Sequence, residues 1–135
     1  VSVPSVRGSS PNDMFAVNGT AEIGAARRRV VEAALSAGLS PERAADVALV
    51  LSELVTNALQ HGTGTAPTVR CTVDGDHFEL SVSSEASDDV PHSKGEAPRP
   101  AAPGGRGLYI VAKIVDSLTV VGADGRVTVE CRFDT

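Results

Sequence analysis

Tryptophan is absent from this chain, and its 135 residues hold only one tyrosine and three phenylalanines. So few rings exclude the aromatic platforms on which proteins stack single-stranded nucleic acid. Basic residues are also scarce: 12 Lys and Arg stand against 17 Asp and Glu, a formal charge of −5. The only basic run is Arg27-Arg28-Arg29, and a helix spreads three consecutive residues over three sides. A protein held to nucleic acid by phosphate contacts needs the opposite balance, so no direct nucleic-acid binding is expected. No apolar run approaches the roughly 20 residues that cross a bilayer. The first residues hold no apolar signal-peptide core either. Cys71 and Cys131 stand alone, with no C-x-x-C pair, and suit buried reduced thiols better than a metal site or a disulfide framework. The expectation is a soluble, cytoplasmic protein without a membrane segment.

What is present reads as one domain of a size that supports a real core. Residues 1–11 are rich in Ser, Pro and Gly and are expected to be loose, leaving 12–135 as the folded unit. A short strand is predicted over Met14–Val17. A helix over about Glu22–Ala37 follows, with Thr20 as its N-cap and Gly38 as its stop. Ser40-Pro41 supplies a cap and a first-turn proline for a second helix running to about His61. Two alternating segments, Thr68–Val73 and His77–Ser83, flank Asp74-Gly75-Asp76 and predict a hairpin. Residues 85–103 have no periodicity and carry Pro91, Pro98, Pro100 and Pro103, which marks a functional or disordered loop. A third helix (Arg106–Val115) and two strands (Leu118–Val121 and Val127–Phe133, turned at Asp124-Gly125) end the chain. These elements predict a two-layer α/β sandwich: a mostly antiparallel sheet covered on one face by three helices.

The second helix carries the most specific pattern. Ala44, Val47, Ala48, Leu51, Leu54, Val55, Ala58 and Leu59 form an apolar stripe at i, i+3, i+4, i+7 spacing. Asp46, Glu53, Asn57, Gln60 and His61 share another sector, where Leu49 and Val50 also lie, so that side is expected to be partly covered. Alone, a Glu-x-x-x-Asn row is the wet side of an amphipathic helix. A carboxylate and an amide one turn apart also suit a divalent cation or a water held against an anion. A second segment, Gly104-Gly105-Arg106-Gly107-Leu108, runs straight into the helical pattern Leu108, Val111, Ala112, Val115. Glycines there let the backbone approach a ligand, and the unpaired amides of a first turn attract anions.

Glu53-Leu-Val-Thr-Asn57-Ala-Leu-Gln-His61 resembles the N-box of the histidine-kinase-like ATPases, the superfamily of gyrase and the sensor kinases. Gly105-Arg106-Gly107-Leu108, followed by Ile110-Val111, resembles its second glycine box. The short form is similar to anti-sigma-factor serine kinases of the RsbW type, over roughly residues 12–133. The resemblance implies the Bergerat-type ATPase fold, with the stretch 85–103 as the ATP lid. It implies ATP and magnesium as ligands, with Asn57 on the metal and Glu53 as the catalytic base or polariser of the nucleophile. Gly105, Arg106, Gly107 and Leu108 are then expected around the phosphates. Arg106 is either a bidentate phosphate donor or a solvated first-turn residue. His61 either caps helical carbonyls or lies near the site. The implied partners are a sigma factor and an antagonist protein carrying the phosphorylated serine, and a homodimer follows by analogy.

One departure stands out. The family places an aspartate just after the third strand to accept the adenine amino proton, with glycines behind it. That position falls here on Ser84, or on Ser83, and the glycines are missing; Glu85 or Asp88 could take over if the strand ends differently. Loss of a charge-assisted hydrogen bond costs about 1.5–3 kcal/mol, roughly ten- to a hundredfold in affinity. Three readings result: an ATP-dependent protein-serine kinase with anti-sigma activity, a partner-switch module that binds nucleotide weakly or not at all, and an unrelated two-layer domain.

Overall fold

Strand pairing fixes the architecture. The computed structural model describes residues 13–61, 65–85 and 105–135, with the side chains of 61 and 105–107 left aside. Five strands, β1 (Asp13–Ala16), β2 (Thr68–Asp74), β3 (His77–Glu85), β4 (Ser117–Ala123) and β5 (Arg126–Asp134), form one sheet in the order β1-β2-β3-β5-β4. Every pairing is antiparallel. Three helices, α1 (Ile23–Ser36), α2 (Pro41–His61) and α3 (Gly105–Ile114), complete the two-layer α/β sandwich.

Both hairpins close with two-residue loops whose backbone signs differ. Gly75 has φ +62° and Asp76 does not share that sign, the pattern of a type II′ turn with glycine first. Asp124 (φ 55°) and Gly125 (φ 78°) are both left-handed, as a type I′ turn requires. The first loop is thus Gly75-Asp76, one residue later than the Asp-Gly dipeptide itself.

Helix α1 starts differently from expectation. Thr20 is not its cap but opens a short 3-10 turn, Thr20–Glu22. Glu22 instead ties the entry together: its Oε1 accepts the Asn18 backbone N–H at 2.8 Å and the Asn18 Nδ2 at 3.3 Å. At the other end Gly38 (φ 102°) reverses the chain, and Leu39 N–H reaches back to the Ala34 carbonyl at 3.1 Å. Ser40 does cap α2, its hydroxyl accepting the Arg43 N–H at 3.1 Å.

The core lies between the layers. From α2 it receives Ala44, Val47, Ala48, Leu51, Leu54 and Val55, with Ala58 and Leu59 half-buried at the far end. From the sheet it receives Val69, Cys71, Phe78, Leu80, Val82, Val129, Cys131 and Phe133. Alternation leaves the other face of the sheet to Arg70, Thr72, Glu79, Ser81, Ser83, Thr128, Glu130 and Arg132, a polar surface with no helix on it among the described residues. Cys71 and Cys131 both pair with Leu80 from opposite sides, so two strand spacings, about 10 Å, separate them. That exceeds disulfide reach, and both thiols are free and buried. Desolvation pushes each up to about 12.

Candidate functional site

Helix α2 aims its polar row away from the core, and the structure divides that row. Glu53 and Asn57 are half-buried, Asp46 is half-buried and Gln60 is exposed. Leu49 and Val50, expected together in the covered sector, separate: Val50 is fully buried while Leu49 is 43% exposed. Among the described residues, Glu53 and Asn57 form no side-chain hydrogen bond or ion pair with one another or with a third group. The two side chains stand one helical turn apart.

Helix α3 is set against α2 by a junction that has no local signature in the sequence. Arg43, in the first turn of α2, donates to the Ile114 carbonyl at 2.8 Å, to Asp46 Oδ2 at 2.9 Å and to Asp116 Oδ2 at 2.8 Å. Its guanidinium also lies 4.9 Å from the Phe133 ring centroid. Burial works against the Arg43 charge, but the bonds to Asp116 and Asp46 outweigh it and raise its pKa. The last carbonyl of α3 is therefore pinned beside the start of α2. With 10 residues, α3 is about 15 Å long and packs against α2. Gly105, Arg106 and Gly107 are helical in backbone, and Leu108 packs against the core. His61 is the last helical residue of α2. The expected lid, 85–103, lies outside the described residues except for Glu85, which ends β3, and Asp88 falls in the part left out.

The sheet contributes Ser84. β3 runs two residues past its expected end, to Glu85, because Ser84 pairs with Val127 and Glu85 with Arg126. Ser84 therefore continues the inward series Phe78, Leu80, Val82 and is 6% exposed, the one buried polar residue of the described core. Ser83 faces the opposite way, where Arg126 Nη2 (3.0 Å) and Thr128 Oγ1 (3.1 Å) bind its hydroxyl. Glu85 also turns outward: Thr65 Oγ1 donates to it at 2.9 Å and Arg126 lies 3.8 Å away. Thr65 follows α2 by four residues. The Thr65–Glu85 contact thus ties the end of β3 to the segment that follows α2. Of the two serines, only Ser84 reaches the helical side, and Glu85 does not replace it.

The described residues contain no group of three or more His, Cys, Asp or Glu able to cage a metal. A hollow of about 160 Å³ lies by the last turns of α2, but Asn18, Ala58, Leu59, Thr65 and Ala66 line it, not the polar row. No described helix is long and apolar enough to cross a membrane.

A sheet with helices on one face, an α2 bearing Glu53 and Asn57, and a glycine-led α3 define a domain of the ATPase class. The sequence matches the histidine kinase-like ATPase domain family over residues 18–133, and the chain belongs to that family. No curated protein matches it. Among solved structures it is similar to the RsbU and RsbW domains of Rv1364c from Mycobacterium tuberculosis, with TM-score 0.68 and 19% identity. That match covers 93% of this chain but only 32% of the other, so this chain spans about a third of that protein's length. The SiaB–SiaC complex from Pseudomonas aeruginosa matches at TM-score 0.62 and 16% identity, over 100% of this chain and 99% of the other. The histidine kinase AdeS of Acinetobacter baumannii matches at TM-score 0.55 and 10% identity, over 96% and 71%. At such identities these neighbours define the fold.

Proposed function

We propose that this domain binds ATP with magnesium and works as a protein-serine kinase in a partner switch, holding a sigma factor and phosphorylating its antagonist. The observation that carries the proposal is the half-buried Glu53–Asn57 pair one turn apart on α2, with the glycine-led helix α3 packed against the same helix. Hard oxygen donors suit magnesium, which keeps several waters and takes few protein ligands. Asn57 would hold it, and the ion would neutralise phosphate charge. Glu53, half-buried on the same helix, would orient a hydroxyl in line with the γ-phosphate, and such positioning is most of what phosphoryl transfer demands. The amides at the start of α3, with Arg106, would receive the phosphates.

The partner-switch part rests on the company this fold keeps. One neighbour is an RsbW domain beside an RsbU domain, and another is a two-protein complex. A cytoplasmic homodimer, with the lid over residues 85–103, belongs to the same reading. Ser84 favours a second reading: a hydroxyl in place of a carboxylate weakens adenine recognition, leaving a protein-binding module on an ATPase fold.

Isothermal titration with ATP and ADP, with and without magnesium, separates the two. Magnesium-dependent binding supports the kinase. No heat and no thermal shift at millimolar nucleotide would leave only the protein-binding module.

A further inference from the structure

We infer that Asn18-Gly19 is a site of spontaneous covalent modification, where the Asn18 side chain closes on the Gly19 nitrogen and becomes an aspartyl or isoaspartyl residue. The site is independent of nucleotide binding.

Such a step needs a carboxamide that can approach the next backbone nitrogen, and no side chain crowding that nitrogen. Asn18 is exposed and lies between β1 and the 3-10 turn. Gly19 carries no Cβ, and one added there would meet nothing within 4 Å, so the ground beside the attacking nitrogen is open. Its backbone is extended (φ 163°, ψ 174°), ahead of the first helical turn. The Asn18 carboxamide has one tether, from Nδ2 to Glu22 Oε1 at 3.3 Å. That is longer than the usual N–H···O range of about 2.7–3.2 Å, so the restraint is weak. The shorter bond to the same oxygen, 2.8 Å, comes from the Asn18 backbone N–H and leaves the carboxamide its rotation. Asn57 offers the contrast. It stands inside α2, where the helix fixes the backbone, and Ala58 sets a Cβ beside the next nitrogen.

The Gly19 nitrogen gives its proton to hydroxide and attacks Asn18 Cγ. The new N–Cγ bond closes a five-membered imide, the Cγ–Nδ2 bond breaks, and Nδ2 leaves as ammonia with a proton from water. Water then opens the ring. Attack at Cγ gives aspartate, and attack at the main-chain carbonyl gives isoaspartate. Nothing is oxidised or reduced, and water is the only co-reactant. Either product replaces the Nδ2 donor with a negative charge facing the Glu22 carboxylate, and like charges at that range repel. Isoaspartate also lengthens the main chain by one carbon, next to the 3.0 Å bond from the Glu22 N–H to the Gly19 carbonyl. The conversion therefore loosens the entry to α1. Asn18 also lines the hollow with Ala58, Leu59 and Thr65, so the new charge arrives beside the last turns of α2.

The test is storage of the folded full chain in warm, mildly alkaline buffer over weeks, read by peptide mass mapping and ion exchange. Residue 18 should gain the mass difference between an amide and an acid, the protein should gain one negative charge, and Asn57 should stay unchanged. Gly19→Ala, which the open space accommodates, should slow the conversion at least about tenfold. Should that variant fail to fold, seen in a thermal melt, Asn18→Gln replaces it, because its imide would need a six-membered ring. Asn18→Asp should melt below the wild type. An Asn18 that stays intact in the folded chain but converts in urea overturns the inference. Conversion of the Gly19→Ala variant at the wild-type rate, or of Asn57 to the same extent, overturns it as well. Asn18→Asp as stable as the wild type overturns the loosening of α1.

Discussion

Arg43, in the first turn of α2, donates a 2.8 Å hydrogen bond to the carbonyl of Ile114, the last residue of α3. The contact joins residues 71 apart in sequence and fastens the two helices at the end away from Glu53 and Asn57. The same guanidinium holds Asp116, whose Oδ2 also accepts the Asp134 backbone N–H at 2.8 Å. Helix α2, the end of α3, the approach to β4 and the end of β5 thus meet at one side chain.

Arg43→Met should therefore destabilise the fold by about 2 kcal/mol, since it removes the side-chain donor to the Ile114 carbonyl and leaves Asp116 only the Asp134 N–H. Arg43→Lys should recover only part of this, because an ammonium cannot reproduce the guanidinium fork. Urea denaturation measures both. Equal stability of the Met variant and the wild type would show that the junction is ornamental.

Asp116 carries a pH signature. The Asp134 backbone N–H and the Arg43 guanidinium favour its charged form and hold its pKa below the ordinary aspartate value. A depressed folded-state pKa contributes stability above the unfolded value, and that contribution fades as pH falls through the folded one. Asp116→Asn should thus be less stable than wild type at neutral pH, with the gap narrowing below about pH 4. A gap that stays constant from pH 7 to pH 3 would dismiss the carboxylate's role.

Both cysteines should be silent in the native state. Burial holds each thiol at about 12, so almost no thiolate exists at neutral pH. A chromogenic disulfide reagent should titrate two thiols in guanidinium and none quickly in buffer. Rapid native labelling of either residue would mean that the sheet opens there.

Glu53 and Asn57 should separate by role under the proposed function. Asn57→Ala should abolish magnesium-dependent nucleotide binding. Glu53→Ala should leave affinity within about threefold. It should lower phosphoryl transfer at least a hundredfold, roughly the usual loss on removing a general base. Calorimetry and a phosphotransfer assay read the two effects, and identical behaviour of the variants would undo the assignment.

The element order and the faces of α2 were legible in the sequence because both follow from local rules. The 3.6-residue period of Ala44, Val47, Leu51, Leu54 and Val55 selects the buried side whatever the helix packs on. Gly38, Ser40-Pro41 and the two hairpin dipeptides set boundaries by their own backbone preferences. Thr20 misled because capping depends on where the first helical turn settles. The Asn18–Glu22 contact drew that turn into a 3-10 start.

Glu53, Asn57 and the glycine segment were nominated by residue type and spacing alone. What the sequence could not decide was any feature set by a distant strand or helix. Whether Ser83 or Ser84 faces inward depends on where β3 ends, and pairing with Val127 of β5 carries the alternation Phe78, Leu80, Val82 on to Ser84. Likewise Leu49 and Val50, neighbours in the chain, take opposite fates: Val50 joins the core between the layers, while Leu49 is 43% exposed. The Arg43–Asp116 junction, 73 residues apart, has no local signature at all. Periodicity reports how a segment divides its own faces; only the packed neighbours determine what each face meets.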